Sequence, residues 1–282
     1  MLGQKMRTIF RTMQPKQNNQ ASEQTAPGDS RLKRLDALIR FLDSRRGNPE
    51  PPVQQILAYN QFNRDQWVAQ MARSVPAGSK VLDVGAGTCL YKPLFEHCDY
   101  KSADFKQYEG LLDPEKKEGL YGIIDYVCDI TDIPVDGNIF DCVISTEVLE
   151  HVPEPIKAVQ EMVRVLKPKG DLFITAPLGS GLHQEPFHFY GGYTPHWYNY
   201  VAKRFGLEVI EIIPNRGSFS HYAQECLRVR NWSPRYKHLL SEHVPALEDL
   251  FGELLPRLLT ELDEEVKDYQ FTIGYHIQMK KL

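Results

Sequence analysis

The stretch from Lys80 to Tyr91, KVLDVGAGTCLY, constrains the fold of this chain more than any other part of the sequence. It begins with an apolar run typical of a buried strand, made by Val81, Leu82 and Val84. A glycine turn follows at Gly85, Ala86 and Gly87, and the pattern predicts a helical segment after the turn. Because a helix N-terminus and a glycine turn both expose backbone N–H groups, this order of elements is typical of nucleotide-binding units.

Predicted strands and helices alternate along the rest of the chain. Further strands are expected at Tyr100 to Asp104, Ile123 to Cys128, Ile139 to Ser145, Asp171 to Ala176 and Leu207 to Ile213. Helices are expected at Tyr91 to His97, Pro153 to Leu166 and, with Thr194 as the N-cap, Thr194 to Arg204. This alternation requires parallel strands and right-handed crossovers, which predicts an α/β fold with a doubly wound sheet. A last strand, Phe271 to Met279, alternates in a way that suits an edge or antiparallel position.

The sequence divides into three expected regions. Residues 1–30 are predicted to form a basic tail and flexible linker, and residues 31–79 an N-terminal helical cap. The second cap helix, from about Val53 to Ser74, carries Asn60, Arg64 and Trp67. Residues 80–282 form the main domain, which a helical insertion at about 215–268 interrupts before the last strand. Pro256 is expected to kink a helix of this insertion.

The charge balance weighs against nucleic acid as a partner. The 282 residues carry a formal net charge of −4, and the pI is about 6.2, so the chain has no general attraction to phosphate backbones. The five cysteines include no CxxC pair, which argues against a disulfide scaffold and against a structural zinc site. We therefore expect a reducing, cytoplasmic location.

The first residues offer one route to a membrane surface. Apolar side chains recur there at helical spacing among basic residues, at Leu2, Met6, Ile9, Phe10 and Met13. Because so few apolar residues bind membranes only marginally, a frayed or disordered tail is the favoured interpretation. The helical insertion could serve as a homodimer face or a substrate lid, or it could pack on its own domain.

Polar residues directly follow several predicted strands. In an open parallel sheet, ligands bind beyond the carboxyl ends of the strands. Asp104 ends the second strand, where an acid can accept from both hydroxyls of a ribose, and Asp129 and Ile130 follow the third strand, where they can meet an adenine ring. Four polar residues follow the fourth strand: Thr146, Glu147, Glu150 and His151. Each acid alone is more often a turn residue, but their placement at successive strand ends predicts one ligand site.

The ligand expected from this pattern is either a dinucleotide or an adenosine compound without a pyrophosphate. The dinucleotide fingerprint needs a small third residue, and Leu90 occupies that position, which counts against NAD. Five segments resemble, in order, the motifs of class I S-adenosylmethionine-dependent methyltransferases of the small-molecule, type 11-like subgroup: VLDVGAGTCLY, YKSAD, VCDITDIP, FDCVISTEVLEHVPEP and LKPKGDLFITAP. The matches run from about Lys80 to Pro177, and the ordered set is more diagnostic than any single motif.

The resemblance implies a Rossmann-like sheet of seven strands with the last strand antiparallel, and S-adenosyl-L-methionine as the cofactor. It implies that the backbone at Gly85, Ala86 and Gly87 approaches the cofactor, and that Asp83 lies near its amino-acid end. For the nucleoside, it implies that Asp104 binds the ribose and that Phe105, Asp129 and Ile130 contact the adenine. Thr146 would lie near the methionine moiety.

Methyl transfer from a sulfonium requires an aligned nucleophile and, where needed, a base. The candidate catalytic residues are His151, His188 and Glu147, and His183 and Tyr190 are further candidate bases. The loop from Pro177 to Tyr193 follows the fifth strand on the ligand side, which favours substrate contact for His183 and His188. Zinc held by His183, His188 and His196 is disfavoured because no cysteine accompanies them, so no metal site is predicted.

The sequence thus predicts an enzyme that transfers a methyl group to a small-molecule or glycan-like acceptor, at oxygen in preference to nitrogen or carbon. STEVLEH stands where methyltransferases of DNA bases carry an Asn-Pro-Pro-Tyr type segment, which again argues against nucleic acid. Two alternatives remain. The first is a nicotinamide-dependent oxidoreductase, and Leu90 counts against this interpretation. The second is a binding or assembly protein with the methyltransferase fold, and the presence of Gly85, Gly87, Asp104 and Asp129 argues against it.

Overall fold

The computed structural model describes residues 59–108, 121–231 and 242–282, together with isolated positions at 33, 34, 36, 37, 40 and 238. The chain divides into two units, Met1–Asn48 and Pro49–Leu282. The described positions of the first unit are helical, and the rest of the predicted tail and of the first cap helix lies outside the described residues. The sheet and the candidate site belong to the second unit.

Seven strands form one sheet: β1 (Lys80–Val84), β2 (Asp99–Asp104), β3 (Tyr126–Val127), β4 (Phe140–Thr146), β5 (Leu166–Pro177), β6 (Leu207–Pro214) and β7 (Gly274–Lys281). Their order across the sheet is β3-β2-β1-β4-β5-β7-β6. Strands β1 to β5 pair in parallel, whereas β7 is antiparallel to both β5 and β6. The predicted doubly wound, Rossmann-like α/β fold with an antiparallel last strand is confirmed.

The described helices are α1 (Tyr59–Ser74), α2 (Pro155–Val165), α3 (Pro195–Phe205), α4 (Ser218–Asn231), α5 (Val244–Asp249) and α6 (Leu255–Val266), with a π-helical turn at Leu250–Leu254. Alternate residues of the strands face opposite sides of the sheet. On one side, Val81, Ile144 and Phe173 pack with Trp67 and Val68 of α1. On the other side, α2 and α3 cover Leu82, Val143, Leu172 and Ile174. No helix within the described residues has the length and hydropathy of a membrane span.

Two elements are shorter in the structure than the sequence predicts. The segment after the glycine turn forms only a short 3-10 helix, Lys92–Phe95, within the predicted range Tyr91 to His97. Strand β3 has only two residues, because the Ser102 N–H donates to the Asp125 carboxylate at 3.0 Å instead of extending the ladder. Strand β7 lies between β5 and β6 and is antiparallel to both, so the second of its two expected positions, edge or antiparallel, is confirmed.

The start of helix α3 is capped as the sequence predicts. The Thr194 hydroxyl accepts from the Trp197 N–H at 3.4 Å, which confirms Thr194 as the N-cap of α3. Strand β5 begins at Leu166, earlier than predicted, and includes Pro168 and Gly170. Pro256 directly follows the π-helical turn Leu250–Leu254, within a helical run that continues from α5 into α6, and the kink expected there stays a prediction.

The insertion helices pack against each other through a buried carboxylate. Asp263 of α6 accepts hydrogen bonds from the backbone N–H groups of Gly217, Phe219 and Ser220, at 2.9, 3.1 and 3.2 Å. These donors belong to the start of α4, whose first N–H groups have no partner within the helix. Asp263 thus caps α4 from a helix that is distant in sequence.

Candidate active site

The glycine turn leaves β1 with a left-handed backbone. Gly85 has a φ of 75° and Gly87 a φ of 51°, which side chains rarely allow. The N–H groups of Gly85 and Ala86 donate to the carbonyl of Ala103 at 2.8 and 3.1 Å, so the turn folds over the end of β2. A Cβ on Gly85 would overlap the side chain of Val148, whereas one on Gly87 would meet no atom within 4 Å. The space beside Gly87 is therefore open to a ligand.

Asp104, at the end of β2, is bonded directly to this turn. Its Oδ2 accepts from the Gly87 N–H at 2.9 Å, and its Oδ1 accepts from the Lys106 N–H at 2.9 Å. The residue is 8% exposed. Each carboxylate oxygen keeps a lone pair for a further donor such as a ribose hydroxyl. The turn and the acid therefore form one structural unit that fits the nucleoside part of the cofactor.

Asp83 is buried within β1 and lies beside Tyr100. The Tyr100 hydroxyl donates to its Oδ2 at 2.6 Å. Burial raises the pKa of Asp83 to about 7; the hydrogen bond from Tyr100 opposes this shift, and the negative charge of Asp104 adds to it. The Asp83 carboxyl group therefore changes its charge near neutral pH.

The predicted adenine contacts lie in less enclosed positions. The ring of Phe105 meets that of Phe187 edge-on, with centroids 5.1 Å apart. Asp129 is exposed, and its Oδ1 accepts from the backbone N–H and the hydroxyl of Thr131, both at 2.8 Å. This Asx-type turn fixes the carboxylate and leaves Oδ2 to accept from an outside donor. Ile130 is half-buried and packs against the sheet core.

Glu147 connects the end of β4 to helix α1. Its Oε1 accepts from the Thr175 hydroxyl at 2.9 Å, and its Oε2 accepts from the Asn60 amide at 3.1 Å. The guanidinium of Arg64 lies 3.5 Å from the same Oε2. Both oxygens are thus engaged, which suits a residue that positions α1 over the ends of the strands. Thr146, the last residue of β4, is half-buried beside it.

Sequence reasoning assigned no role to the polar side chains of α1. Asn215, which follows β6, accepts from the Asn63 amide at 3.0 Å and donates to Asn60 Oδ1 at 2.9 Å. Asn60, Asn63 and Arg64 are spaced three and four residues apart and so lie on one face of the helix. This clustering of hydrogen-bonding side chains on one face of a helix next to the sheet is the signal that could have identified them.

Three histidines meet beyond the carboxyl ends of β4 and β5. The ring centroids are 4.8 Å apart for His151 and His183, 4.5 Å for His183 and His188, and 5.8 Å for His151 and His188. Burial lowers the pKa of His151 to about 4; the hydrogen bond of its Nδ1 to the Phe187 carbonyl, at 2.7 Å, opposes the shift. Positive charge on His183 or His188 would lower it further. His151 is therefore neutral but only weakly basic at neutral pH.

His188 is oriented by Ser180. The Ser180 hydroxyl donates to the Gly191 carbonyl at 3.0 Å, and its Oγ lies 3.1 Å from His188 Nε2. Because the hydroxyl hydrogen points to Gly191, the imidazole donates its Nε2–H and keeps Nδ1 as the basic nitrogen. Burial lowers the pKa of His188, so that nitrogen is free of its proton at neutral pH.

Glu150 lies beneath the histidines. It is 1% exposed, its Oε2 has no hydrogen-bond partner among the described residues, and its Oε1 is 3.8 Å from His151 Nε2. Burial raises the pKa of Glu150 well above its usual range, and the charge of Glu147 adds to the shift. The Glu150 carbonyl accepts from the N–H groups of Phe189 and Tyr190 at 2.9 and 3.2 Å, which holds the loop after β5 against the segment after β4.

The fold and the site together define a class of protein. A glycine turn after β1, bonded to an acid at the end of β2, stands in a seven-stranded sheet whose last strand is antiparallel. These features are those of a Rossmann-like methyltransferase.

Comparison with known proteins agrees with this class. A family model for a methyltransferase domain matches residues 82–174. A demethylmenaquinone methyltransferase from Paenarthrobacter aurescens is 33% identical over 142 residues, covering 47% of this chain and 54% of that protein. A ubiquinone biosynthesis O-methyltransferase from Pectobacterium atrosepticum is 30% identical over 116 residues, covering 39% of this chain and 46% of that protein. A sarcosine/dimethylglycine N-methyltransferase from Halorhodospira halochloris is 26% identical over 214 residues, covering 71% of this chain and 73% of that protein.

A solved structure from Galdieria sulphuraria, assigned to a sarcosine dimethylglycine methyltransferase, has a TM-score of 0.51 and 19% identity, and the match covers 87% of this chain and 97% of that one. This likeness supports the fold. The chain spans about half the length of the demethylmenaquinone methyltransferases that it matches. Residues 82–174 match a methyltransferase domain, and the domain is of the class I, S-adenosylmethionine-dependent type, whose cofactor is S-adenosyl-L-methionine.

Proposed function

We propose that the protein transfers the methyl group of S-adenosyl-L-methionine to a hydroxyl oxygen of a small-molecule acceptor. One observation carries the proposal: the open side of the glycine turn at Gly87 and the basic nitrogen of His188 both lie beyond the carboxyl ends of the same parallel sheet. That edge is where ligands bind in open α/β sheets.

The cofactor would bind along the ends of β1, β2 and β4. When bound, it supplies an electrophilic methyl group on a sulfonium. The backbone at Gly85, Ala86 and Gly87 leaves room for it, and Asp104 accepts from the ribose hydroxyls. Phe105, Asp129 and Ile130 hold the adenine, while Asp83 and Thr146 lie toward the methionine moiety.

The residues around the acceptor have separate roles in this proposal. His188 takes the proton from the acceptor through Nδ1, because its Nε2–H is already bonded to Ser180. Glu147 has both oxygens engaged by α1 and β5, so it positions the site and does not remove the proton. His151 packs against His183 and contributes a neutral polar wall. Helix α1 acts as a cap over the ends of β4 and β5.

Oxygen is favoured as the acceptor atom because a hydroxyl must lose its proton during the transfer, and the histidine loop offers a base for that step. The exposed rings of Phe189 and Tyr190 on the same loop offer a surface for the face of a phenolic or glycan-like ring. The name of one relative includes O-methylation and that of another N-methylation, so amines belong among the acceptors tested.

Two measurements test the proposal. Calorimetric titration should show binding of S-adenosylhomocysteine and none of NAD; preferential NAD binding would support the oxidoreductase alternative instead. The protein is then incubated with S-adenosylmethionine and a panel of phenols, glycosides and amines, and mass spectrometry detects the methylated product. Transfer confined to amines would overturn the choice of oxygen. Cofactor binding without turnover on any acceptor would support a binding or assembly role.

A further inference from the structure

We propose that Glu150, His151 and His183 form a binding site for one divalent first-row transition-metal ion. One ligand atom from each residue lies within 4.8 Å of the others. The site is separate from the cofactor contacts at the ends of β1 and β2, and methyl transfer as proposed above does not require it. No metal site was predicted from the sequence, because the only set of candidate ligands considered there was His183, His188 and His196.

The two imidazoles are held in the tautomer that a metal ion needs. His151 Nδ1 lies 2.7 Å from the Phe187 carbonyl, and His183 Nδ1 lies 2.8 Å from the Gly181 carbonyl. Since a carbonyl oxygen only accepts, each Nδ1 carries the hydrogen and each Nε2 carries the lone pair. Donation of the distal N–H to a carbonyl is the usual way in which proteins orient metal-binding histidines.

The carboxylate of Glu150 supplies an independent observation. The residue is 1% exposed, and its Oε2 has no hydrogen-bond partner in the part of the chain that the structure describes. Its Oε1 faces His151 Nε2 at 3.8 Å. A buried oxygen without a partner is costly, and a cation between Glu150 and the two histidines would compensate it.

The spacing fits a metal ion after a small adjustment. Two ligands at about 2.1 Å on opposite sides of an ion are about 4.2 Å apart, and ligands at tetrahedral angles are closer. Separations of up to 4.8 Å therefore need only a slight inward movement of the ligand side chains. Two imidazoles and one carboxylate favour zinc, cobalt, nickel or ferrous iron over magnesium, which prefers oxygen ligands and water. Three protein ligands leave open positions for water or for an acceptor oxygen.

Metal titration of the full chain tests the site. The protein, free of any affinity tag and treated with a chelator, is titrated with zinc, cobalt and magnesium ions by calorimetry, and the cobalt complex is followed by visible absorption. We expect one zinc or cobalt ion per chain, no comparable magnesium binding, and no thiolate-to-cobalt charge-transfer band. Affinity should fall at least tenfold in His183→Ala and in Glu150→Gln, and remain within about twofold in the control His196→Ala.

Circular dichroism of each variant checks that it folds, and His183→Ala, which changes a loop residue, decides the question if Glu150→Gln does not fold. Three results would overturn the proposal: no saturable binding at one ion per chain, wild-type affinity in His183→Ala, or a thiolate band that places the ion on a cysteine. None of these measurements needs turnover, so the site can fail while the methyltransferase proposal stands, and the reverse also holds.

Discussion

The carboxylate of Asp104 accepts a hydrogen bond of 2.9 Å from the backbone N–H of Gly87. This bond joins the end of β2 to the turn after β1. Because Asp104 is also the proposed ribose ligand, one side chain both shapes the turn and completes the cofactor site.

Replacement of Asp104 with Ala should lower the affinity for S-adenosylhomocysteine about 10- to 100-fold, since it leaves buried donors without a partner. Asp104→Asn keeps an oxygen that can accept from Gly87 and should lose less. Calorimetry measures both. Asp141→Asn, at the amino-terminal end of β4 beside Lys167, is the matched control and should bind normally. Unchanged affinity in Asp104→Ala would mean that another residue binds the ribose.

The two glycines of the turn should respond differently to alanine. Gly85→Ala combines a left-handed backbone with overlap against Val148, so we expect a loss of about 2 to 5 kcal/mol in the free energy of unfolding. Gly87→Ala meets open space and should cost about 1 kcal/mol, while its methyl group obstructs the cofactor. Urea denaturation without cofactor compares the two variants. Equal losses would show that the contact with Val148 is unimportant; Gly85→Ala combined with Val148→Ala should recover part of the stability.

Cofactor affinity should depend on the charge of Asp83. Its pKa of about 7 means that the carboxyl group is ionised above neutral pH and protonated below it. The affinity for S-adenosylhomocysteine should therefore fall as pH is lowered through 7, because a neutral carboxyl attracts the amino group of the ligand less. Tyr100→Phe removes a hydrogen bond that favours the ionised form, so the midpoint should move to higher pH.

The exposed Tyr200→Phe serves as the control for this shift. Calorimetry between about pH 5.5 and 8.5 gives the midpoint for each protein. An unchanged midpoint in Tyr100→Phe would show that the pH dependence of the affinity does not come from Asp83.

His276 should make the protein sensitive to acid. Its ring stacks on Trp67, and burial, helped by the positive charge of Arg64, lowers the pKa of His276 to about 4. The unfolded chain therefore binds more protons between about pH 4 and 6.5, so the stability that this group contributes is complete above about pH 6.5 and is lost as pH falls toward 4.

His276→Phe keeps the stack and removes the titration. Relative to the unsubstituted protein, its free energy of unfolding should improve by about 2 kcal/mol between pH 7 and 4.5. Urea denaturation of both proteins at both pH values measures this difference. The contributions of the other titrating groups are the same in the two proteins and therefore cancel. Parallel pH profiles for the two proteins would contradict the prediction.

His188→Gln should separate proton transfer from cofactor binding. Loss of a general base typically lowers kcat about 10²- to 10⁴-fold. We expect that fall with the acceptor found in the panel, while the affinity for S-adenosylhomocysteine stays unchanged. His196→Ala is the control for a solvent-exposed histidine on the neighbouring helix. Full kcat in His188→Gln would assign the proton transfer to another group.

Some features of the fold follow from local sequence patterns, and others do not. Strands β1, β2, β4 and β6 lie within a residue of their predicted bounds. Their bounds are predictable because the pattern of apolar residues indicates a buried strand and a breaker residue indicates its end. The 3-10 helix at Lys92–Phe95 and the short β3 were not predicted; the length of β3 depends on the hydrogen bond from the Ser102 N–H to the Asp125 side chain.

By itself, the sequence determined the class: the glycine turn, the acid at the end of the next strand and the order of the motifs all follow from residues close together in the chain. The individual cofactor and catalytic assignments stay predictions. Only the tertiary structure decided that Asn60 would bond to Glu147, 87 residues away, and that Glu150, His151 and His183 would meet. Those contacts depend on how helix α1 and the loop after β5 pack over the sheet, and the Glu150 Oε2 atom is without a hydrogen-bond partner among the described residues only because that packing excludes water.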